Sequence, residues 1–288
     1  MAYKIAVTGG KGGTGKSTIA VILSKLLSAE KNSKVLLVDT DVESPSDHIL
    51  LGVERKTLES VTMFKPEIIQ EKCTKCGECI KACPEHALIG LEGTYPKLIE
   101  DLCSGCKVCF FVCQDNAIKP SEEEIGKIYM GEKSKITMLQ GELNPGKRQY
   151  VTMTTRVVDK SKELAREFPL IIYDTAPGTG ANVFSVLRTA DIVIAVTEPT
   201  PLGANDLNML MELVSDLGKK AFIVLNRSDL PGGKSELIEK VAEKWNIEII
   251  SRVPFSREFI EKYANGEPIV DFYQHETFKE LRNILEVL

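Results

Sequence analysis

The chain has 288 residues, 43% of them apolar, 27% charged and 6% aromatic, with a formal net charge of −5. That length and apolar share provide for a sizeable core in one large domain, or in a domain with an insertion, and exclude a disordered chain. The acidic balance argues against nucleic acid as a partner, and no run of about 18 uncharged apolar residues predicts a membrane span. In chain order, Tyr3–Thr8 reads as a strand, entered without the basic start and cleavage site of an export signal, so a cytoplasmic protein is expected. A Gly-rich turn, a helix over residues 16–29 and a buried strand at 34–38 follow. The segment 61–120 breaks the rhythm, being Cys-rich and short of long apolar runs. Beyond it, the acidic run Glu122-Glu123-Glu124 reads as a solvated helix start or linker. Residues 127–129 and 135–139 read as strands on a return path, and Asn144-Pro145-Gly146 as a turn. Val/Ile/Leu-rich strands are predicted at 170–173, 192–196, 222–225 and 247–250, with helices at 205–217, Ser235–Trp245 and 256–263. Finally, Phe278, Leu281, Ile284, Leu285 and Leu288 have helical spacing, but Lys279 and Arg282 are offset by Glu280 and Glu286. This segment is expected to dock on the domain rather than on a membrane surface.

Continuous apolar strands alternating with helices predict an α/β fold with a doubly wound, mostly parallel sheet. Ligands of such sheets bind beyond the carboxyl ends of the strands. The expected organisation is one domain built from residues 1–60 and 121–288, with a small α+β domain, 61–120, inserted into it.

The motifs fall on those strand ends. Gly10-Lys11-Gly12-Gly13-Thr14-Gly15-Lys16-Ser17-Thr18 follows the first strand and opens the first helix, which is the context that G-x-x-x-x-G-K-[ST] requires. Its glycines let backbone N–H groups turn inward around phosphates, and the helix N-terminus adds its positive end. Lys16 is expected on the β- and γ-phosphates and the Ser17 hydroxyl on Mg²⁺. The second strand ends in Asp39-Thr40-Asp41, and alternation puts the two carboxylates on one side of an extended chain. A later strand ends in Asp174, before the rigid turn Thr175-Ala176-Pro177-Gly178. Asn226-Arg227-Ser228-Asp229 and Arg252-Val253-Pro254-Phe255 close two more strands; the former also mimics the N-K-x-D guanine reader, which keeps GTP beside ATP.

All eight cysteines lie between Cys73 and Cys113. A disulfide framework would be spread over a small secreted domain, whereas clustered thiols in a reducing compartment are metal ligands. Cys73-x-x-Cys76-x-x-Cys79-x-x-x-Cys83-Pro84 is the bacterial ferredoxin run, and Cys103-x-x-Cys106-x-x-Cys109-x-x-x-Cys113 repeats it about thirty residues later, with Gln114 in place of the usual proline. Eight thiolates would also hold two tetrahedral zinc ions, but these runs exceed what a zinc knuckle needs. Gly77 and Gly105 fit a tight wrap, and His86 is expected at the surface.

With its second lysine, Lys11, the Gly-rich loop resembles the deviant Walker A motif of the MinD/ParA/Mrp ATPases and the nitrogenase iron protein. That resemblance implies ATP with Mg²⁺ and an ATP-dependent homodimer in which Lys11 reaches the phosphates held by the partner subunit. It implies nucleotide contacts from Gly10, Gly12, Gly13, Thr14, Gly15, Lys16, Ser17 and Thr18. It further implies that Asp41 positions water or holds Mg²⁺ through water with Asp39 beside it, and that Asp174 senses Mg²⁺ through water. The Gly178 N–H would contact the γ-phosphate, while Asn226, Arg227, Pro254 and Phe255 would frame adenine. The implied catalytic set is Lys11, Lys16, Asp39, Asp41 and Asp174.

The cysteine runs resemble the two-cluster [4Fe–4S] ferredoxin module, where the fourth cysteine of each run ligates the other cluster. Carried over, one cubane takes Cys73, Cys76, Cys79 and Cys113, and the other Cys103, Cys106, Cys109 and Cys83. Nearly the whole chain thus resembles MinD-superfamily ATPases that carry an inserted ferredoxin domain. The implied function is ATP-dependent dimer closure that gates electron transfer through both clusters to a partner protein. Two alternatives are an iron–sulfur cluster carrier, which would use a C-x-x-C outside any ferredoxin module, and a positioning ATPase that senses redox state. No cysteine follows Cys113 to build such a carrier site.

Overall fold

The structure, a computed structural model, describes residues 2–288. In chain order its first elements are β1 (Tyr3–Thr8), α1 (Lys16–Glu30), β2 (Val35–Asp39), α2 (Asp47–Leu51) and β3 (Lys56–Ile68). Then come α3 (Glu78–Lys81), β4 (Leu88–Ile89), β5 (Lys97–Leu98), α4 (Val108–Val112), β6 (Ile118–Lys133), β7 (Ile136–Leu143) and α5 (Tyr150–Leu164). The last are β8 (Leu170–Asp174), α6 (Ala181–Thr189), β9 (Ile192–Thr197), α7 (Pro201–Asp216), β10 (Lys220–Asn226), α8 (Ser235–Trp245), β11 (Ile249–Val253) and α9 (Arg257–Ala264). The chain divides into two compact units. The larger takes the residues up to Leu58, Ile128–Glu142 and Thr154–Leu288; the smaller takes Glu59–Lys127 and Leu143–Met153. The smaller unit is thus wider than the expected 61–120 window and built from two stretches.

In the larger unit the sheet runs β11-β10-β9-β1-β8-β2-β7 and continues into β6 and β3, the two strands whose residues divide between the units. From β11 to β7 the pairing is parallel throughout. Such strands are buried on both faces, which is why they read as unbroken apolar runs. Central β1 lies between β8 and β9, with Val7 opposite Asp174 on one side and Ile194 on the other. Register brings Asp39 opposite Asp174, and Asn226 opposite Val253, so the chemistry-bearing residues share one rim. Helix α1 buries Ile19 through Leu23, Leu26 and Leu27 completely, as befits a helix apolar nearly all round. The C-terminal segment Glu276–Glu286 winds in 3₁₀ turns and sinks Phe278, Leu281 and Ile284 into the same core, docking as its spacing predicts. No helix among the described residues is long and apolar enough to cross a membrane.

The acidic run departs from expectation. Glu122, Glu123 and Glu124 lie inside β6 and form no helix start or linker. Each carboxylate has a partner: Glu123 pairs with Lys147 Nζ at 2.5 Å, Glu122 accepts from Thr62 Oγ1 at 3.1 Å, and Glu124 accepts from Asn144 Nδ2 at 3.3 Å. β3 and α5 are further elements that the spacing does not predict.

The smaller unit shows the internal repeat as geometry. A 3₁₀ turn precedes each first cysteine, at Gln70–Lys72 and Glu100–Leu102. Around the second cysteine of each run, Lys75 (φ 61°) and Gly77 (φ 76°) match Gly105 (φ 72°) and Lys107 (φ 66°). Both loops follow one left-handed path, although the glycine stands on opposite sides of the cysteine. Gln114 preserves the turn as well: Asn116 N donates to Cys113 O at 3.3 Å, just as His86 N donates to Cys83 O at 3.2 Å. Phe64, Ala87, Leu88 and Ile118 form the core with Cys83 and Cys109.

Replacing the fully buried Leu281 by Ala is expected to cost about 2–5 kcal/mol, the range for a core cavity. Urea unfolding followed by fluorescence checks this; a loss near zero would mean that the C-terminal segment is not part of the core.

Candidate functional site

A cavity of about 360 Å³ opens at the carboxyl rim of the sheet. It brings together Gly12, Gly13 and Gly15 from the loop before α1, Lys16, Ser17 and Thr18 from its first turn, Asp41 after β2, Asn226 and Arg227 at the end of β10, and Pro254 and Phe255 after β11. A Cβ at Gly12 or Gly13 would meet nothing, while Gly15, at φ 95°, lies against the Asn226 side chain. Asn226 Nδ2 donates to Thr14 O at 2.8 Å and so ties the end of β10 to the loop. Lys16 Nζ donates to Lys11 O at 3.0 Å. Burial lowers the Lys16 pKa, and the Asp174 and Asp41 charges oppose that shift.

Gly10, Lys11, Thr14, Asp39, Asp174 and Gly178 do not line this cavity. Gly10 packs on Asp206, the Gly178 N–H donates to Gly9 O at 3.2 Å, and the Lys11 side chain is exposed. Arg227 forms an ion pair with Glu198. Asp229 is exposed and its Oδ1 accepts the Phe255 N–H at 2.6 Å.

The two carboxylates of Asp39-Thr40-Asp41 have different surroundings. Asp39 is wholly buried and accepts four hydrogen bonds: from Asp41 N (3.1 Å), Ser46 N (3.0 Å), Asp47 N (3.2 Å) and Gln140 Nε2 (2.8 Å). Even so, burial raises its pKa from 3.8 to about 6. Asp41, by contrast, lines the cavity. Asp174 is buried, accepts a hydrogen bond from Ser17, and is pushed well above the ordinary carboxylate range by burial and then by Asp39.

Two residues of this site carry no sequence signal. Asp47 reads as an ordinary acid in the first turn of α2, yet it is fully buried and neither carboxylate oxygen has a hydrogen-bond partner. Gln140 is revealed only by register, which sets it opposite Asp39 on β7. Its amide joins Asp39 to Arg55, whose Nη1 donates to Gln140 Oε1 at 2.9 Å, pairs with Glu142 at 2.5 Å and belongs to a guanidinium stacked on Tyr129.

In the smaller unit, Cys73, Cys76, Cys79 and Cys113 line one small cavity, and Cys83, Cys103, Cys106 and Cys109 line another. The fourth thiol of each run therefore faces the three leading thiols of the other. Cys83 Sγ accepts from Ala87 N and Cys113 Sγ from Ala117 N, both at 3.3 Å. Burial, then neighbouring thiols, raises Cys79, while burial pushes Cys109 up to about 11. A metal or cluster taken up here would displace protons. His86 is exposed, outside both linings.

Residues 5–269 match the family model for the CobQ/CobB/MinD/ParA nucleotide binding domain. An uncharacterised protein of Methanocaldococcus jannaschii is 34% identical, over 98% of this chain and 94% of its own length. An iron–sulfur cluster carrier protein of Pyrococcus abyssi is 25% identical, over 99% of this chain and 85% of its own. Among solved structures, the septum site-determining protein MinD of Pyrococcus horikoshii, complexed with Mg-ADP, has a TM-score of 0.61 at 18% identity, covering 100% of this chain and 96% of that one.

The Asp39 carboxyl yields a prediction with a defined sign. Because its folded value of about 6 exceeds the ordinary 3.8, its contribution to stability is full below about pH 4 and is lost as pH rises through about 6. Gln140 is one of the donors that hold that value down. Gln140→Leu is therefore expected to cost about 1.5–3 kcal/mol at pH 8, where the lost bond is to a charged group, and less at pH 4. Denaturant titrations of the metal-free chain at both pH values check this; an equal loss at each would refute it.

Proposed function

The chain belongs to the CobQ/CobB/MinD/ParA nucleotide-binding family and is an ATPase; from that premise we propose that ATP-dependent closure of a homodimer gates electron transfer from two [4Fe–4S] clusters to a partner protein. In this reading the P-loop amides and Lys16 would hold the triphosphate, and Ser17, with Asp39 and Asp174 acting through water, would hold Mg²⁺, which would neutralise phosphate charge. Asp41, at the cavity wall, would position water or hold the ion through water. The exposed Lys11 serves the phosphates of a second copy, where its ammonium would neutralise charge developing during transfer. Asn226, Arg227, Pro254 and Phe255 receive the base. Adenine is favoured over guanine because the Asp229 carboxylate is engaged by the Phe255 N–H and stands outside the cavity lining.

The observation that carries the redox half is the sorting of eight thiols into two sets of four, each round its own cavity and each drawing one thiol from the other run. We read the smaller unit as an inserted two-cluster ferredoxin domain, with Cys73, Cys76, Cys79 and Cys113 holding one cluster and Cys83, Cys103, Cys106 and Cys109 the other. All-sulfur donor sets with backbone N–H groups directed at the crossed thiols suit such clusters. Bound there, the clusters supply one-electron redox centres. The chain's part is to shield them with Phe64, Leu88 and Ile118, to fix the thiolates, and to release the protons that burial retains on the free thiols.

A second reading, cluster delivery, is favoured by the similarity to a carrier protein. The two differ in whether the clusters stay. Incubation of the loaded, dithionite-reduced chain with ATP is expected to reduce an oxidised holo-ferredoxin and to leave iron on this chain when apo-ferredoxin is supplied instead; iron transfer to the apo-protein would favour delivery.

Anaerobic spectroscopy is expected to show two reducible [4Fe–4S] centres per chain, with a signal that shifts when ATP is trapped. A stable two-zinc protein, or a signal indifferent to nucleotide, would overturn the reading. Lys11→Ala is expected to lower ATP turnover by about 10³-fold or more, by analogy with an arginine finger, and to abolish ATP-dependent dimerisation while sparing iron content. Unchanged hydrolysis would remove Lys11 from the mechanism.

A further inference from the structure

We propose that Asp47, together with Asp39 and Asp174, forms a divalent-cation site that loads in the absence of nucleotide. This inference concerns the larger unit alone and does not rest on the cluster reading.

One carboxylate oxygen from each of the three residues lies within 4.8 Å of the other two, and all three residues are buried. Their donors are unevenly distributed. Asp39 Oδ2 takes three N–H groups, while Oδ1 takes only that of Asp41 and keeps capacity. Asp174 is engaged by Ser17, but its Oδ1 accepts nothing. Asp47 accepts nothing on either oxygen. An acid in the first turn of a helix would ordinarily accept free N–H groups there, and Asp47 does not. Its own N–H instead serves Asp39, and its carboxylate faces the other two acids. Buried carboxylates without donors are tolerated when a cation neutralises them.

The ligand chemistry follows from the donors. Every candidate atom is a hard oxygen, with no thiol or imidazole among the three, which selects Mg²⁺, Mn²⁺ or Ca²⁺ over zinc, iron or copper. Such ions take oxygens at about 2.0–2.6 Å, so oxygens across the ion stand roughly 4–5 Å apart, the span recorded here. Lys16 attracts Asp174 and Asp41. The site is therefore held entirely by side chains, unlike one completed by a triphosphate on Ser17. A preloaded ion would place positive charge beside the P-loop before nucleotide arrives and would favour phosphate entry.

The test uses the full, cluster-loaded chain, stripped of nucleotide and exchangeable divalent ions, with Mn²⁺ as the probe followed by loss of its free EPR signal. One Mn²⁺ per chain, displaced by excess Mg²⁺ or Ca²⁺, is expected; no binding up to millimolar Mn²⁺ would overturn the proposal. Asp47→Asn is expected to weaken binding at least tenfold and to abolish the rise in melting temperature that the ion gives the wild-type chain. Equal Mn²⁺ affinity in the two proteins would refute it. Should Asp47→Asn fail to fold, Ser17→Ala decides: nucleotide-free binding within about twofold of wild type supports the carboxylate site, and its loss assigns the ion to the P-loop hydroxyl instead.

Discussion

Two carboxylates side by side in register at the ends of β2 and β8 are the constraint around which the larger unit is arranged. Asp39 and Asp174 are buried, so each bears the penalty of charge in a low-dielectric setting, and the Asp39 charge raises the Asp174 pKa further. The chain answers in the segment after β2, which curls so that the N–H groups of Asp41, Ser46 and Asp47 converge on Asp39. It answers again on β7, where Gln140 supplies a side-chain donor, and on α1, where Ser17 supplies another to Asp174. These donors fix the path of the segment that also brings Asp41 to the cavity wall. Binding geometry and charge solvation are thus one problem with one solution.

What could be read in advance divides along a physical line. The P-loop, the parallel strands and the cysteine runs are legible because each is local: a turn made by adjacent glycines, a run of apolar residues, a three-residue spacing of thiols. Asp47 and Gln140 are not, because their meaning depends on what lies opposite them after folding. Asp47 is a common first-turn acid in the sequence and a buried, donor-free carboxylate in the fold. The acidic run of β6 misleads for the same reason, since its partners Lys147, Thr62 and Asn144 are distant in sequence. The stretch 143–153 belongs with the smaller unit through such contacts, Gln149 Nε2 donating to Cys103 O at 3.3 Å among them.

The smaller unit shows how a repeat can persist in backbone after its residues have diverged. Left-handed conformations recur at Lys75, Gly77, Gly105 and Lys107, and again at His86 and Asn116, so each loop tolerates one non-glycine residue where its counterpart has glycine. For a lysine that conformation costs about 1–2 kcal/mol, and the wrap around the thiols retains it. The backbone bonds Ile69 N to Ala117 O and Ile99 N to Ala87 O, at 2.8 and 2.7 Å, join each half to the other. The same crossing of halves that mixes the thiols also closes the unit on itself.

The placement of β1 at the centre of the sheet has a consequence for birth on the ribosome. Its two neighbours, β8 and β9, begin at Leu170 and Ile192, so the first strand to be translated is among the last to be paired. The smaller unit, which ends at Met153, has by then been translated in full. At roughly 5–20 residues per second, about 1–3 seconds separate its last residue from the first residue of β8. Vectorial synthesis therefore gives the thiol-bearing unit a head start, with all its cysteines translated while the nucleotide-binding sheet still lacks its middle.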